Sequence, residues 1–197
     1  MATDYEVRAD YDSTSLIVYQ AYSKQIALPA INNQTFEAPF SFNRMTWIKP
    51  SFLWLMERSN WAQKAGQEYI LALRITRLGW EKALHEGVLT SPEKRVYPDG
   101  QAWHKLFEEA KVHIQWDPER NLRGQKLEYR SIQVGISRFL IEEFVKEWIL
   151  EIKDYTPLVK KIHTLYKAGK YENAKRLLPP EKQYVLPEAI KRRIGAG

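Results

Sequence analysis

Two cations, two hydroxyls and an indole are crowded into the run Asn43-Arg44-Met45-Thr46-Trp47-Ile48-Lys49-Pro50-Ser51-Phe52. Fixed charges beside a large aromatic are costly to desolvate unless they meet an anion, so the run reads as a pocket wall awaiting a negatively charged ligand. Arg44, Lys49 and Arg58 converge on such an anion if a helix begins at Ser51, because the free amides of a helix start and the side-chain cations then point to one place. The competing reading pairs Arg44 and Arg58 with Glu57 or Glu68 and leaves Lys49 in solvent. Trp47, Trp54 and Trp61 fall seven apart, but Pro50 interrupts any single helix. They read as core, with Trp47 the exception.

A second polar constellation joins Gln115-Trp116-Asp117-Pro118-Glu119-Arg120 to Tyr129-Arg130-Ser131-Ile132-Gln133. Asp117 or Glu119 would serve as a general acid or base if a cleft desolvated it, and Arg130 and Gln133 could hold a substrate. Capping and turn chemistry is the stronger reading for the two carboxylates. Other chemistries find little support. The sequence contains no cysteine, which excludes disulfides, thiolate metal sites and cysteine nucleophiles. His85, His104, His113 and His163 lack a ligand spacing, no Gly-x-Ser-x-Gly elbow is present, and Walker and kinase signatures are missing.

The elements that must position these residues follow from periodicity. Leu16–Tyr19 reads as a strand, 23–34 as a helix, and Ser51 as the cap of a helix carrying Phe52, Leu55 and Met56. Tyr69–Thr76 alternates as a strand and Trp80–His85 is a short helix, followed by a loop with Pro92, Pro98 and Gly100. Val112, Ile114 and Trp116 mark a strand ending at Asp117-Pro118, and 122–125 is a polar turn. The stripe Ile132, Ile136, Leu140, Phe144, Trp148 and Ile152 predicts the longest helix of the chain. After Asp154 come two helices, 158–167 and 171–178, joined at Gly169 and stopped by Pro179-Pro180. The expected fold is α+β: a small split or mixed, antiparallel-rich sheet covered by helices, with a C-terminal helical hairpin. Residues 1–155 form the core domain with the anion-binding cleft, and 156–197 a basic helical tail packed on it.

A chain of 197 residues with 44% hydrophobic and 27% charged content can bury a sizeable core. Its first apolar run is too short for a signal or membrane helix, so the chain reads as soluble and cytoplasmic, with no membrane partner. The net charge of +6 favours phosphate-bearing partners, but the cations crowd between Lys160 and Arg193, where a solvated helical surface is the better reading than nucleic-acid binding because no aromatic-glycine RNA motif or zinc-finger spacing accompanies them.

Val18-Tyr19-Gln20-Ala21-Tyr22, Arg44 to Phe52, Arg58-Ser59 and Tyr129 to Gln133 resemble a bacterial and fungal family catalogued as domain of unknown function 4291, and Trp148 with Asp154 and Thr156 fits it too. That name carries no activity. The order of elements also looks like that of ADP-ribosyltransferases, which bind NAD in the cleft of a split sheet. By that likeness Gln20 or Arg44 would hold phosphate or ribose, Thr46 or Ser51 would supply the central hydroxyl, and Gln133 the late polar residue. The catalytic candidates are therefore Gln133, Thr46 and Ser51, and the NAD-binding candidates Tyr19, Gln20, Arg44, Trp47, Lys49, Arg58 and Arg130. The chain departs from the likeness in lacking an Arg-Ser-Glu or His-Tyr-Glu signature and in having Gln133 where a carboxylate would stand. The leading expectation is an NAD-using ADP-ribosyltransferase or glycohydrolase acting on a nucleic-acid or protein acceptor. The alternative is a non-enzymatic module that binds RNA, DNA or another polyanion through the same pocket and the basic tail.

Overall fold

The computed structural model describes residues 5–197; residues 1–4, the first of the expected core domain, lie outside it. Two sheets meet at a seam. The first is antiparallel, with β4 (Tyr69–Thr76) between β2 (Ser15–Tyr22) and β8 (Ile149–Asp154). The second runs in the order β3 (Thr46–Ile48), β7 (Lys126–Ile136), β6 (Val112–Arg120), β5 (Gly87–Leu89), and only its β5–β6 pair is parallel. The backbone N–H of Tyr19 donates to the carbonyl of Lys49 at 2.7 Å, a single bridge that stitches β2 to β3. Among the described residues no other backbone bridge joins β2 to β3, so the split-sheet α+β expectation holds.

The three-stranded sheet is apolar on both faces because helices cover both. Along β4, Leu71, Leu73 and Ile75 face a core shared with Trp80 of α3 (Arg77–Glu86), whereas Ile70 and Ala72 face α2 (Phe52–Ser59) and α6 (Thr156–Lys167). Each such buried Leu or Ile contributes about 1.5–3 kcal/mol over an exposed one. Helix α1 (Lys24–Asn33) packs against β4 and β8. Helix α2 starts as expected, with Ser51 Oγ accepting the Trp54 N–H at 3.1 Å. Near the C-terminus α6 turns into α7 (Tyr171–Lys175) through Gly169, whose φ of +72° lets Lys170 N–H reach Leu165 O and Gly169 N–H reach Tyr166 O. Residues beyond the hairpin return to the core: β9 (Lys182–Gln183) pairs with β1 (Arg8–Ala9), and α8 (Glu188–Ile194) packs on α3.

Three local expectations are corrected. The long helix from Ile132 does not exist: Ile132–Ile136 belong to β7, a short helix α5 (Ile141–Glu143) runs into one π turn over Phe144–Trp148, and β8 follows. A spacing of four is an even number, so it keeps residues on one face of a strand as well as near one face of a helix, and the stripe could not separate them. Strand β6 runs past Pro118 to Arg120, since a bulge between Pro118 and Arg120 absorbs the missing donor. The stretch read as a loop contains α4 (Gly100–Glu109), started by Asp99 Oδ1 accepting the Gln101 N–H at 2.9 Å. Among the described residues, no helix is long and apolar enough to cross a membrane.

Candidate functional site

Beside the β2–β3 seam a cavity of about 220 Å³ opens, lined by Ala21, Trp47, Lys49, Trp54, Leu55, Arg58, Gln67 and Gln133. Strand alternation selects its walls. In β3, Thr46 and Ile48 turn into the protein, so Trp47 and the following Lys49 turn outward to the cavity. Their cross-strand register sets Trp47 beside Gly135 and brings Gln133 close to Lys49. Gly135 is required there: a Cβ would lie 3.0 Å from the Trp47 indole and 2.6 Å from Met45 Sδ.

From α2 come Trp54 and Arg58, one turn apart. The Lys49 ammonium nitrogen lies 5.5 Å from the Trp54 ring centroid and Arg58 Cζ 5.7 Å from it, so two cations share one indole. Neither forms an ion pair among the described residues. Lys49 Nζ donates to the Trp47 carbonyl at 3.1 Å, and burial, then the nearby Arg58 charge, lowers its pKa to about 7 against the opposing pull of Asp117. Asp117 is itself held by two amides, with Gln133 Nε2 donating at 2.6 Å and Gln115 Nε2 at 3.0 Å. The arrangement can therefore take an anion against Lys49 and Arg58, a ring against the indoles, and a hydroxyl against Gln133.

A family described as Domain of unknown function (DUF4291) matches residues 6–184, which include this junction and every element lining the cavity. The chain belongs to that family. No curated protein matches it.

Not all the sequence candidates meet in this DUF4291 cavity. Trp47, Lys49, Arg58 and Gln133 do. Arg44 precedes β3 and opens instead onto a second cavity of about 250 Å³ with Tyr22, Phe40 and Thr46. Gln20 and Thr46 are buried and clamp the seam, for Gln20 Nε2 donates to Thr46 Oγ1 at 2.6 Å and to the Trp47 carbonyl at 3.1 Å. Arg130 lies under Tyr5, 5.4 Å from its ring centroid, and donates to the Trp116 carbonyl.

Ser51 and Tyr19 belong to a different constellation beneath the α2 N-terminus. Ser51 Oγ donates to Glu119 Oε1 at 2.9 Å, and Glu181 Oε1 accepts the Phe52 N–H at 2.7 Å. Tyr19 is fully buried against Phe52 and Tyr155, and among the described residues its hydroxyl has no partner. Burial and then its own hydrogen bonds act in opposition on Glu119, whose pKa is raised. Burial pushes Glu181 up to about 8, with neighbouring Glu119 adding to it. Glu181, Trp54 and Gln67 escaped the sequence reading as polar partners or walls. For Trp54, the four-residue spacing to Arg58 on one helix was the available signal.

Proposed function

We propose that the cavity at the seam binds a nucleotide-type ligand and that the protein is an ADP-ribosyltransferase-like enzyme using NAD as substrate. The observation that carries this reading is the convergence of Lys49 and Arg58 on the Trp54 indole in a cavity that Trp47 and Gln133 also line. At about 220 Å³ the cavity is smaller than a usual ligand pocket of ~300–1,000 Å³. It would take one phosphate-and-ring portion, with the remainder leaving past the exposed Arg58. In this reading the diphosphate lies against Lys49 and Arg58, a ring rests on Trp47 or Trp54, and the Gln133 amide orients a ribose hydroxyl. The bond between nicotinamide and ribose C1 breaks, nicotinamide leaves with the electron pair, an acceptor oxygen or nitrogen, or water, bonds to C1, and the proton that the acceptor gives up passes to solvent. A cytoplasmic setting, where NAD meets nucleic acid and protein, suits that chemistry.

The test is incubation with NAD labelled in its adenylate phosphate, together with RNA, DNA and protein pools, following label transfer and nicotinamide release. Transfer that Arg58→Ala abolishes supports the enzyme. No transfer, no nicotinamide release and no NAD-dependent thermal shift remove it. One observation favours the second reading, a polyanion-binding module: Lys160, Lys161, Lys167, Lys170, Lys175 and Arg176 on the α6–α7 hairpin are exposed and form no ion pair among the described residues. That module predicts affinity for RNA falling steeply with salt and weakened by Lys160→Gln with Lys161→Gln. Removing the whole tail is no substitute, because Tyr184, Leu186, Ile190 and Ile194 lie in the core.

A further inference from the structure

The cavity contains a lysine that forms no ion pair among the described residues. Lys49 is half-buried with its ammonium nitrogen 5.5 Å from the Trp54 ring centroid in a cavity that Trp47 also lines, and the charged groups facing it are Arg58 from α2 and Asp117 from β6. The walls from β2 and β7 and the loop after α2 contribute the uncharged Ala21, Gln133 and Gln67. Asp117, the carboxylate that could hold an ammonium in place, has each oxygen engaged by an amide, from Gln115 and from Gln133. Lys49 Nζ spends one N–H on the Trp47 carbonyl at 3.1 Å. In the neutral amine the lone pair is then free to face the cavity.

We propose that Lys49 is a nucleophilic amine that captures anionic carbonyl compounds as an imine, with Arg58 holding the anion and the Trp47 and Trp54 indoles the ring or chain between. This shares the cavity of the proposed function but does not depend on NAD being its ligand. The balance is simple. The amine nitrogen bonds to the carbonyl carbon, the carbonyl oxygen takes the proton that the nitrogen gives up, and the carbinolamine then loses water to leave C=N. No oxidant or reductant is consumed. Geometry and charge act together: burial and Arg58 bring Lys49 to about 7, so a large share is unprotonated at neutral pH, whereas an ordinary lysine at 10.5 is almost wholly an ammonium.

The full chain is treated with pyridoxal 5′-phosphate, an aromatic aldehyde with a phosphate, then reduced with borohydride, which delivers hydride to the imine carbon and fixes the label for peptide mapping. At pH 7, Lys49 should be labelled at least about tenfold faster than exposed Lys160 or Lys161, with half-maximal rate near pH 7. Lys49→Arg should lose the label at that peptide, and Arg58→Gln should slow labelling and move the midpoint upward. Label spread evenly over the exposed lysines, or Lys49 reacting no faster in the folded chain than in guanidinium, overturns the proposal. If Lys49→Arg does not fold by thermal melt, Arg58→Gln and the wild-type pH profile decide it. Selective labelling that NAD neither slows nor accompanies with a thermal shift leaves the amine standing and removes the NAD reading; an NAD-dependent thermal shift without selective labelling does the reverse.

Discussion

The two sides of helix α2 handle charge in opposite ways. Beneath its N-terminus, Glu119 and Glu181 are withdrawn from solvent and have donors supplied by the fold, namely Ser51 Oγ, the Arg120 N–H and the Phe52 N–H. Farther along, Lys49 and Arg58 face a cavity and share only the Trp54 indole. The first arrangement joins chain segments far apart in sequence, since Glu181 docks the C-terminal part of the chain on α2. The second leaves cations without a carboxylate partner among the described residues, where an anionic ligand could supply one. A polar group that the fold satisfies is architecture, whereas one that the fold leaves open beside an aromatic wall is the place to look for chemistry.

The largest expected effect tests the open side. If an anionic ligand binds there, Arg58→Ala should weaken it about 10- to 150-fold, the range for losing one charge-assisted hydrogen bond of about 1.5–3 kcal/mol, while the thermal midpoint without ligand stays nearly unchanged. Titration calorimetry with a nucleotide, with a parallel melt, reads both. An equal loss of stability in the free protein would make Arg58 part of the architecture and break the comparison.

Gly135→Ala should come next. The added methyl meets Met45 Sδ and the Trp47 indole, so overpacking of about 1–3 kcal/mol is expected in urea melts, together with a change in Trp47 fluorescence. Unchanged fluorescence would mean that Met45 alone gives way and that the indole is not held by its contact with β7.

The satisfied side predicts a pH signature. Glu181 is raised to about 8 in the folded chain and returns to its ordinary value near 4.5 on unfolding, so the folded state binds the extra proton. Its contribution is fully present below about pH 4.5 and is lost as pH rises to about 8. Lys49 acts with the other sign, because its lowered pKa makes stability rise between about pH 7 and 10.5. Glu181→Gln should therefore flatten the decline between pH 5 and 8 and be at least as stable as the parent at pH 8. A persistent slope in the variant would place the proton elsewhere. The smallest effect sharpens the boundary of the site: Arg44→Ala, on the second cavity, should change stability by less than about 0.5 kcal/mol and leave binding at Lys49 unaltered.

Local chemistry was legible where a residue acts through its immediate neighbours. Ser51 caps α2, β4 alternates between two apolar faces, and Gly169 turns the C-terminal hairpin, all as the order of residues implies. Pro118 and the Ile132 stripe were misread because their meaning depends on a partner strand. The β6 bulge makes room for the proline, and pairing with β3 and β6 makes 126–136 a strand. The carboxylate pair was hidden for the same reason, as Glu119 and Glu181 have no relation along the chain.

By itself, then, the sequence determined that thiol chemistry is absent, that a polar, cationic junction precedes a capped helix at Ser51, and that strands and helices mix in an α+β fold. Tertiary structure alone decided which charges meet. Alternation in β3 sends Lys49 and Trp47 to the cavity and Thr46 inward, the β3–β7 register brings Gln133 to the same face, and Arg44 is left on another cavity. The physical reason is that capping and alternation are set within a few bonds, whereas desolvation and charge proximity depend on distances across strands that only the folded chain defines.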